Sequence, residues 1–305
     1  MLLQYPVFSI IIPTYNRPER LATCLESITH LNYPSDRFEV IVVDDGSKVS
    51  LDSVVKPFQD TLNLTLLRQT NAGPATARNT GATHAKGKFL AFTDDDCQLD
   101  PNWLKNIETH LTEDQPCLLG GKTINALPDN IFSTASQLLI DYLYFYYNTD
   151  SNQAQFFASN NFVVPAQIFR QIGKFDTTFP LAAGEDRELC DRWLYRGYLM
   201  QYIPEAKVYH AHHLTLRRFW RQHFNYGRGA FHFHQIRAGR GHNKIEVEPW
   251  YFYYKLLTYP LSQASLGKSL IISTLFFVSQ VANVLGFFRE KYDRIWHKLV
   301  LSNYV

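Results

Sequence analysis

Four short runs of apolar residues, at 7–12, 38–43, 64–67 and 89–92, punctuate the first hundred positions, and each ends in a polar loop. Continuous apolar runs of this length read as strands covered on both faces. Between them the pattern switches to a helical period. Leu21, Leu25 and Ile28 make one apolar face, with Asn16 as the expected N-cap and Pro18 in the first turn. A weaker helical pattern covers 51–58, and small residues fill a third helix at 75–85. The alternation predicts an α/β fold, a mostly parallel central sheet with helices on both faces. Ligand sites in open sheets of this kind lie beyond the carboxyl ends of the strands. Here those ends carry residues 13–17, 44–47, 71–74 and 94–96, so the polar loops converge on one rim.

The second half is less regular. Residues 157–162 lead into Val163-Val164-Pro165 and a helix expected at 166–172. A further helix opens at Glu185 and Asp186, takes its apolar side from Leu189, Trp193 and Leu194, and stops at Gly197; strand-like residues follow at 199–209. The tail is different material, with five consecutive aromatics at 250–254 and twenty uncharged residues at 269–288. As a helix the uncharged segment would reach about 30 Å, the thickness of a bilayer core. Ser269, Ser273, Gln280 and Asn283 nevertheless fall near one helical face, which suits a helix lying in an interface or packed on protein. Attachment to a membrane surface, a full span and a homo-oligomer contact are the three readings of this segment.

Composition changes this picture in two places. The 305 residues are 46% hydrophobic and 19% charged, which suits one large globular domain or a domain with an appendage. The net charge of +2 hides an uneven distribution: eight Lys or Arg and no acid lie between Glu205 and Glu246, so the remainder is net acidic by six charges. Cys24, Cys97, Cys117 and Cys190 show neither a CxxC pair nor metal-ligand spacing, as expected of reduced cytosolic thiols. The first six residues lack the basic and apolar regions of a secretory signal, and none is expected.

The rim carries the candidate chemistry. Asp94, Asp95 and Asp96 directly follow the strand at 89–92. At ~6 Å and an effective dielectric of ~20, each pair of these carboxylates costs roughly 3 kcal/mol. One must be protonated, all must be hydrated, or a cation must sit among them. Hard oxygen ligands at a strand end suit Mg²⁺ or Mn²⁺ carrying a phosphate; an acidic turn or helix N-cap is the alternative. Asp44 is a short acceptor able to read a nucleobase edge, Tyr15 offers a ring to stack on it, and Thr14 a backbone contact. Gly46 lets the chain turn close to a ligand, and Arg78 is placed to reach a diphosphate.

Pro13-Thr14-Tyr15-Asn16-Arg17, Val42-Val43-Asp44-Asp45-Gly46-Ser47, Asn71-Ala72-Gly73-Pro74-Ala75-Thr76-Ala77-Arg78-Asn79 and Phe92-Thr93-Asp94-Asp95-Asp96 together resemble the family 2 glycosyltransferases, in order and spacing. The likeness covers residues 7–229. It implies a Rossmann-like catalytic domain of the GT-A type over 1–229, with 230–305 as a helical appendage for membrane attachment or oligomerisation. It also implies inverting transfer from a nucleoside-diphosphate sugar, UDP by preference, assisted by Mg²⁺ or Mn²⁺. On this resemblance Asp44 contacts the base, within a donor site formed by Pro13, Thr14, Tyr15, Arg17, Asp45, Gly46, Arg78, Asp94 and Asp95. Asp94 and Asp96 take the ribose and the metal. The segment around Glu185 and Asp186 resembles the family's Glu-Asp motif, which makes Asp186 the catalytic base and Glu185 the second choice.

In some related enzymes a histidine near position 210 completes the metal shell, so His210 is the candidate, and a histidine packed beside the sheet is the competing reading. Seven of the eleven histidines lie from His210 to His242 without a zinc-type spacing. The basic, aromatic stretch at 217–240 resembles, over 219–229, the segment that caps this family's active site. Closure over the diphosphate is therefore expected ahead of membrane contact, and no nucleic-acid partner is expected because no such motif is present. The absence of a Gln-x-x-Arg-Trp signature points to single-sugar transfer onto a hydroxyl of a lipid or glycan. Cytosolic donors put the catalytic part in the cytoplasm, at the inner face of the membrane. Two other functions fit parts of this pattern. A sugar-1-phosphate nucleotidyltransferase would need a Gly-rich basic loop after the first strand, which 13–16 is not, and a nucleotide-sugar sensor would keep the pocket without a working base.

Overall fold

In the computed structural model the chain is described over residues 7–112, 115–179, 183–241 and 247–302; residues 1–6, 180–182 and His242 of the sequence reading lie outside these. The unbroken apolar runs form strands β1 (Phe8–Thr14), β2 (Phe38–Asp44), β3 (Leu64–Arg68) and β4 (Phe89–Phe92), linked by helices α1 (Pro18–Thr29), α2 (Asp52–Val55) and α3 (Pro74–His84). Every residue of β1, β2 and β4 is buried, which is why these strands show no alternation. Pro18 occupies the first turn of α1 as expected, but Asn16 does not cap it. At φ 54° Asn16 instead accepts the Lys48 N–H on Oδ1 at 2.9 Å and donates its own N–H to Ser47 Oγ at 2.8 Å. Asparagine tolerates that left-handed backbone, and the exchange ties the first rim loop to the second.

After β4 the chain forms β5 (Cys97–Leu99), α4 (Trp103–Glu108), β6 (Cys117–Asn125), α5 (Ile131–Tyr147), β7 (Phe162–Pro165), α6 (Ala166–Gln171), α7 (Glu185–Tyr195), β8 (Leu199–His210), α8 (Leu216–Ala238), α9 (Trp250–Thr258) and α10 (Leu266–Ser302). The strands make one sheet of eight in the order β3-β2-β1-β4-β7-β6-β8-β5. Its β1–β4 half is parallel, whereas β7 runs antiparallel to both β4 and β6, and β5 antiparallel to β8. The fold is therefore α/β with a mixed sheet.

The β6–β8 ladder is parallel and slips in register after Gly121. Asn161 fills the slip: its amide donates to the carbonyls of Lys122 and Ala206 at 3.1 and 3.0 Å, and its Oδ1 accepts the Trp103 indole N–H at 2.8 Å. A Cβ on Gly121 would stand 2.1 Å from the Ala206 oxygen, so only glycine fits there. This bulge lets the long β8 carry His210 to the end of the ladder, opposite Cys97 and Asn125.

Two compact units emerge. The first is drawn from Met1–Ala126, Tyr144–Thr177 and Asp186–His212, the second from Leu127–Leu143, Thr178–Glu185 and His213–Val305. All eight strands belong to the first, whose core packs Leu21, Leu25 and Ile28 of α1 and Trp103 of α4 against Phe8, Ile10 and Val40. The second is helical. In it the Tyr142 hydroxyl donates to the Phe252 carbonyl at 2.7 Å, and α8 packs along α10 with glycines at the closest approach. Position 229, the expected end of the catalytic domain, lies inside the unbroken α8.

Candidate active site

Within the first unit the rim loops meet as the strand pattern implied. Backbone bonds lock them together: Asp45 N–H to Thr14 O at 2.9 Å, Gln69 N–H to Asp44 O at 3.0 Å, and Thr93 N–H to Ile11 O at 3.2 Å. Asp44 ends β2, is buried, and accepts the Ser47 N–H at 2.8 Å, with Arg68 Nε 3.7 Å from its other oxygen. Both oxygens of Asp45 are engaged by the loop after β3. Oδ1 accepts from Gln69 Nε2 and Ala72 N, and Oδ2 from Asn71 Nδ2 and Gly73 N, at 2.7 to 3.1 Å. Asp45 is thus the clamp of that loop. Gly46, at φ 84°, passes so close to it that a Cβ would sit 2.8 Å from Asn71 N. Tyr15 stands out from the rim, 44% exposed.

The three aspartates each face a protein cation. Asp94 Oδ1 accepts from Arg78 at 2.6 Å. Asp95 accepts from Thr14 Oγ1 at 2.8 Å and from Arg17 at 3.0 Å. Asp96 accepts from Arg20 at 2.8 Å on one oxygen and lies 3.1 Å from His210 Nε2 on the other, with Arg17 at 3.4 Å. The repulsion inherent in the triplet is therefore met by arginines reaching in from α1 and α3. Burial still raises the Asp95 carboxyl to about 6, partly opposed by Arg17. Burial would raise Asp96 too, yet its bond to His210 and the charge of Arg17 hold it well below the carboxylate range. Burial would lower His210 in turn, but Asp96 raises it, while burial and the charge of His210 push His212 down to about 4. The two imidazole centroids lie 5.1 Å apart with the rings tilted by 34°.

Asp186 lies near the start of α7. Burial raises its carboxyl, opposed by the Arg187 N–H at 2.8 Å and by the charge of Arg78. Glu185 is buried and begins α7, but it groups with the second unit. The structure thus gathers Pro13, Thr14, Tyr15, Arg17, Asp44, Asp45, Gly46, Arg78, Asp94, Asp95, Asp96, Asp186 and His210 in one unit.

Arg20 and His212 were not singled out as site residues from sequence. Arg20 lies one turn after Arg17 on an exposed helix start, a spacing that faces both side chains the same way, and this was the available signal. Asp96, Cys97 and His210 bring ligand atoms within 4.8 Å of one another. A carboxylate with an imidazole suits Mn²⁺ or a similar divalent ion. Burial raises the Cys97 thiol well above its ordinary value, and as a soft ligand it suits such an ion less than the carboxylate does. Asp96 and His210 therefore fit a metal, and binding one would release the histidine's proton.

A model of glycosyl transferase family 2 matches residues 9–173, which includes the four rim motifs. The chain belongs to this family. Glycosyltransferase AglE of Haloferax volcanii is 27% identical over 204 residues, 66% of this chain and 66% of that protein. Chondroitin synthase of Escherichia coli is 29% identical over 237 residues, 66% of this chain and 34% of the synthase. The match spans about two thirds of the length of AglE and about one third of the synthase. Among solved structures, mannosyltransferase PcManGT from Pyrobaculum calidifontis, in complex with GDP-Man and Mn²⁺, has a TM-score of 0.63 at 17% identity, covering 92% of this chain and 88% of that one. TarS 1–349 of S. aureus with UDP-GlcNAc has a TM-score of 0.53 at 18% identity, covering 94% and 91%. Likeness at this level establishes the GT-A fold.

Proposed function

We propose that this family 2 glycosyltransferase moves one sugar at a time from a nucleoside-diphosphate sugar, a UDP-sugar by preference, to a hydroxyl on a lipid or glycan, with inversion at the anomeric carbon. The observation that carries the reading is Arg78. Its guanidinium bonds Asp94 just beyond β4, and its charge acts on the half-buried Asp186 of α7. One cation thus acts both on a carboxylate suited to hold a donor and on the carboxylate suited to activate an acceptor. Asp186 takes the acceptor's proton as its oxygen bonds the anomeric carbon and the bond to the diphosphate breaks. Arg78 and Arg17 offset charge growing on the departing diphosphate.

Asp44 accepts from the base, Tyr15 stacks on it, and Pro13, Thr14 and Gly46 line its approach, in a loop that Asp45 keeps in shape. Asp94 and Asp95 serve the ribose side. Asp96 and His210, with Asp94 nearby, would hold Mg²⁺ or Mn²⁺, which supplies positive charge for the diphosphate. The donors named with PcManGT and TarS support this class of substrate. On this reading the catalytic unit works in the cytoplasm, at the inner face of the membrane.

The test is a thermal-shift screen of UDP-, GDP-, dTDP- and CDP-sugars with and without Mn²⁺. A ligand at about 100 times its Kd adds ~2.7 kcal/mol to stability. Asp186→Asn should keep that shift and lose turnover by roughly 10²- to 10⁴-fold. Unchanged turnover in this variant would defeat the base assignment, and a product of retained configuration would defeat inversion. Equal donor binding in EDTA would remove the metal. Donor bound but neither transferred nor hydrolysed by the wild type would favour a sensor.

A further inference from the structure

The buried face of α10 mixes small, polar and apolar residues: Ile272, Phe276, Ser279 and Ala282 are fully buried, and Glu290 is paired with Arg228 of α8 at 2.7 Å and with Arg294 at 3.0 Å. The contact is made backbone to backbone. A Cβ on Gly286 would stand 1.9 Å from the Phe224 oxygen, and one on Gly227 would stand 1.9 Å from the Asn283 oxygen. Close approach through small residues is the way helices pack where apolar burial offers no drive.

The opposite face is apolar. Nine large side chains from Leu270 to Trp296, among them Phe277, Val284, Phe288 and Tyr292, are 45% to 69% exposed. They recur at seven-residue steps from 270 to 284 and at three- and four-residue steps from there to 295, along about 40 Å of helix, and no charged residue interrupts them from 269 to 288. Exposed large apolar side chains gathered along one helix in this way mark an interaction surface.

The ends of the stripe say what covers it. Tyr292 and Trp296 are exposed at its carboxyl end beside Arg289 and Lys291, and Lys268 is exposed at its amino end. Lys291 rests over the Phe288 ring, 6.0 Å from its centroid. In the same unit α9 exposes Trp250, Tyr251 and Tyr254, with Lys255 over the Tyr251 ring. An apolar middle bounded by amphipathic aromatics and cations matches the boundary between acyl chains and anionic headgroups. The segment is long and apolar enough to cross a membrane. On its inner face, however, the buried Glu290 is bound to Arg228 of α8 and Arg294 to Gln235 of α8, contacts that a helix standing alone in lipid would lose.

We propose that α10 lies flat on an anionic bilayer, with the Leu270–Trp296 stripe in the lipid and its Gly286 face held by α8. This concerns the second unit alone and does not depend on sugar transfer. Flotation of the full chain with vesicles tests it, using phosphatidylcholine alone and with roughly one phosphatidylglycerol in three. The chain should float with the mixed vesicles. Phe277→Glu with Leu285→Glu should lower partitioning at least tenfold without changing the melting temperature in solution, because both side chains already face water. Lys268→Gln and Lys291→Gln should each lower it about fivefold on mixed vesicles and leave the neutral ones unchanged. A nitroxide at position 277 should report a depth of about 5–10 Å. Failure of the full chain to float, or flotation indifferent to the glutamates, overturns the proposal. So does a dimer in sedimentation that Phe277→Glu splits, which would make the stripe a contact between copies. Resistance to alkaline extraction would replace the flat helix with a spanning one.

Discussion

Asp45→Asn separates a clamp from a ligand-binding group. The wild-type carboxylate accepts four bonds, two on each oxygen, from Gln69, Asn71, Ala72 and Gly73. An amide of the same shape keeps one oxygen and turns an NH₂ toward the other two donors, so two bonds become donor-to-donor contacts. Each bond to a charged acceptor contributes about 1.5–3 kcal/mol, giving a gross loss of roughly 3–6 kcal/mol. Asn71 and Ala72 are exposed, so water recovers part of this, and a net cost of about 2–3 kcal/mol is expected. For a chain of this size that lowers the melting temperature by roughly 4–10 °C. The assay is thermal unfolding followed by circular dichroism, with donor titration on the same sample. A variant that melts within about a degree of the wild type yet binds no donor would refute the clamp and make Asp45 a direct contact.

Three further outcomes follow from named contacts. Asn161→Ala leaves the Trp103 indole, the Lys122 carbonyl and the Ala206 carbonyl without their partner inside the sheet. It should cost about 3–5 kcal/mol, read from urea unfolding. Gly286→Leu drives a side chain into the Phe224 backbone, so the α8–α10 pair should lose at least ~3 kcal/mol, seen as early loss of helical signal on heating. Because burial raises the Asp186 carboxyl in the folded state, its protonated form contributes stability that is fully present below the ordinary carboxylate range and lost as pH rises through the raised value. Asp186→Asn should therefore melt higher than the wild type at pH 7, with the gain vanishing below about pH 4. An equal melting temperature at pH 7 would contradict the assigned burial penalty.

Local pattern was enough for the parallel half of the sheet. A strand buried on both faces must be apolar throughout, so β1, β2 and β4 announce themselves, and the polar residues that follow must lie on one rim. The rim motifs were legible for the same reason, and with them the family. What pattern could not supply was pairing between distant segments. The short β5 and the bulged β6 owe their place to β8 and to Asn161, partners about 40 to 110 residues away. Nor could it tell that Asp45 binds its own loop while Asp44 beside it keeps a freer oxygen, because that depends on where 69–73 returns. In α10 the two faces were visible as a polar row and an apolar row, but nothing local says which one a neighbour covers. Contact with Gly227 and Arg228 set inward the side that carries Gly286 and Glu290, with Ile272, Phe276 and Ser279 buried beside them. Periodicity follows from each residue's own preference for water, whereas the assignment of a face depends on a surface that the rest of the chain has to bring.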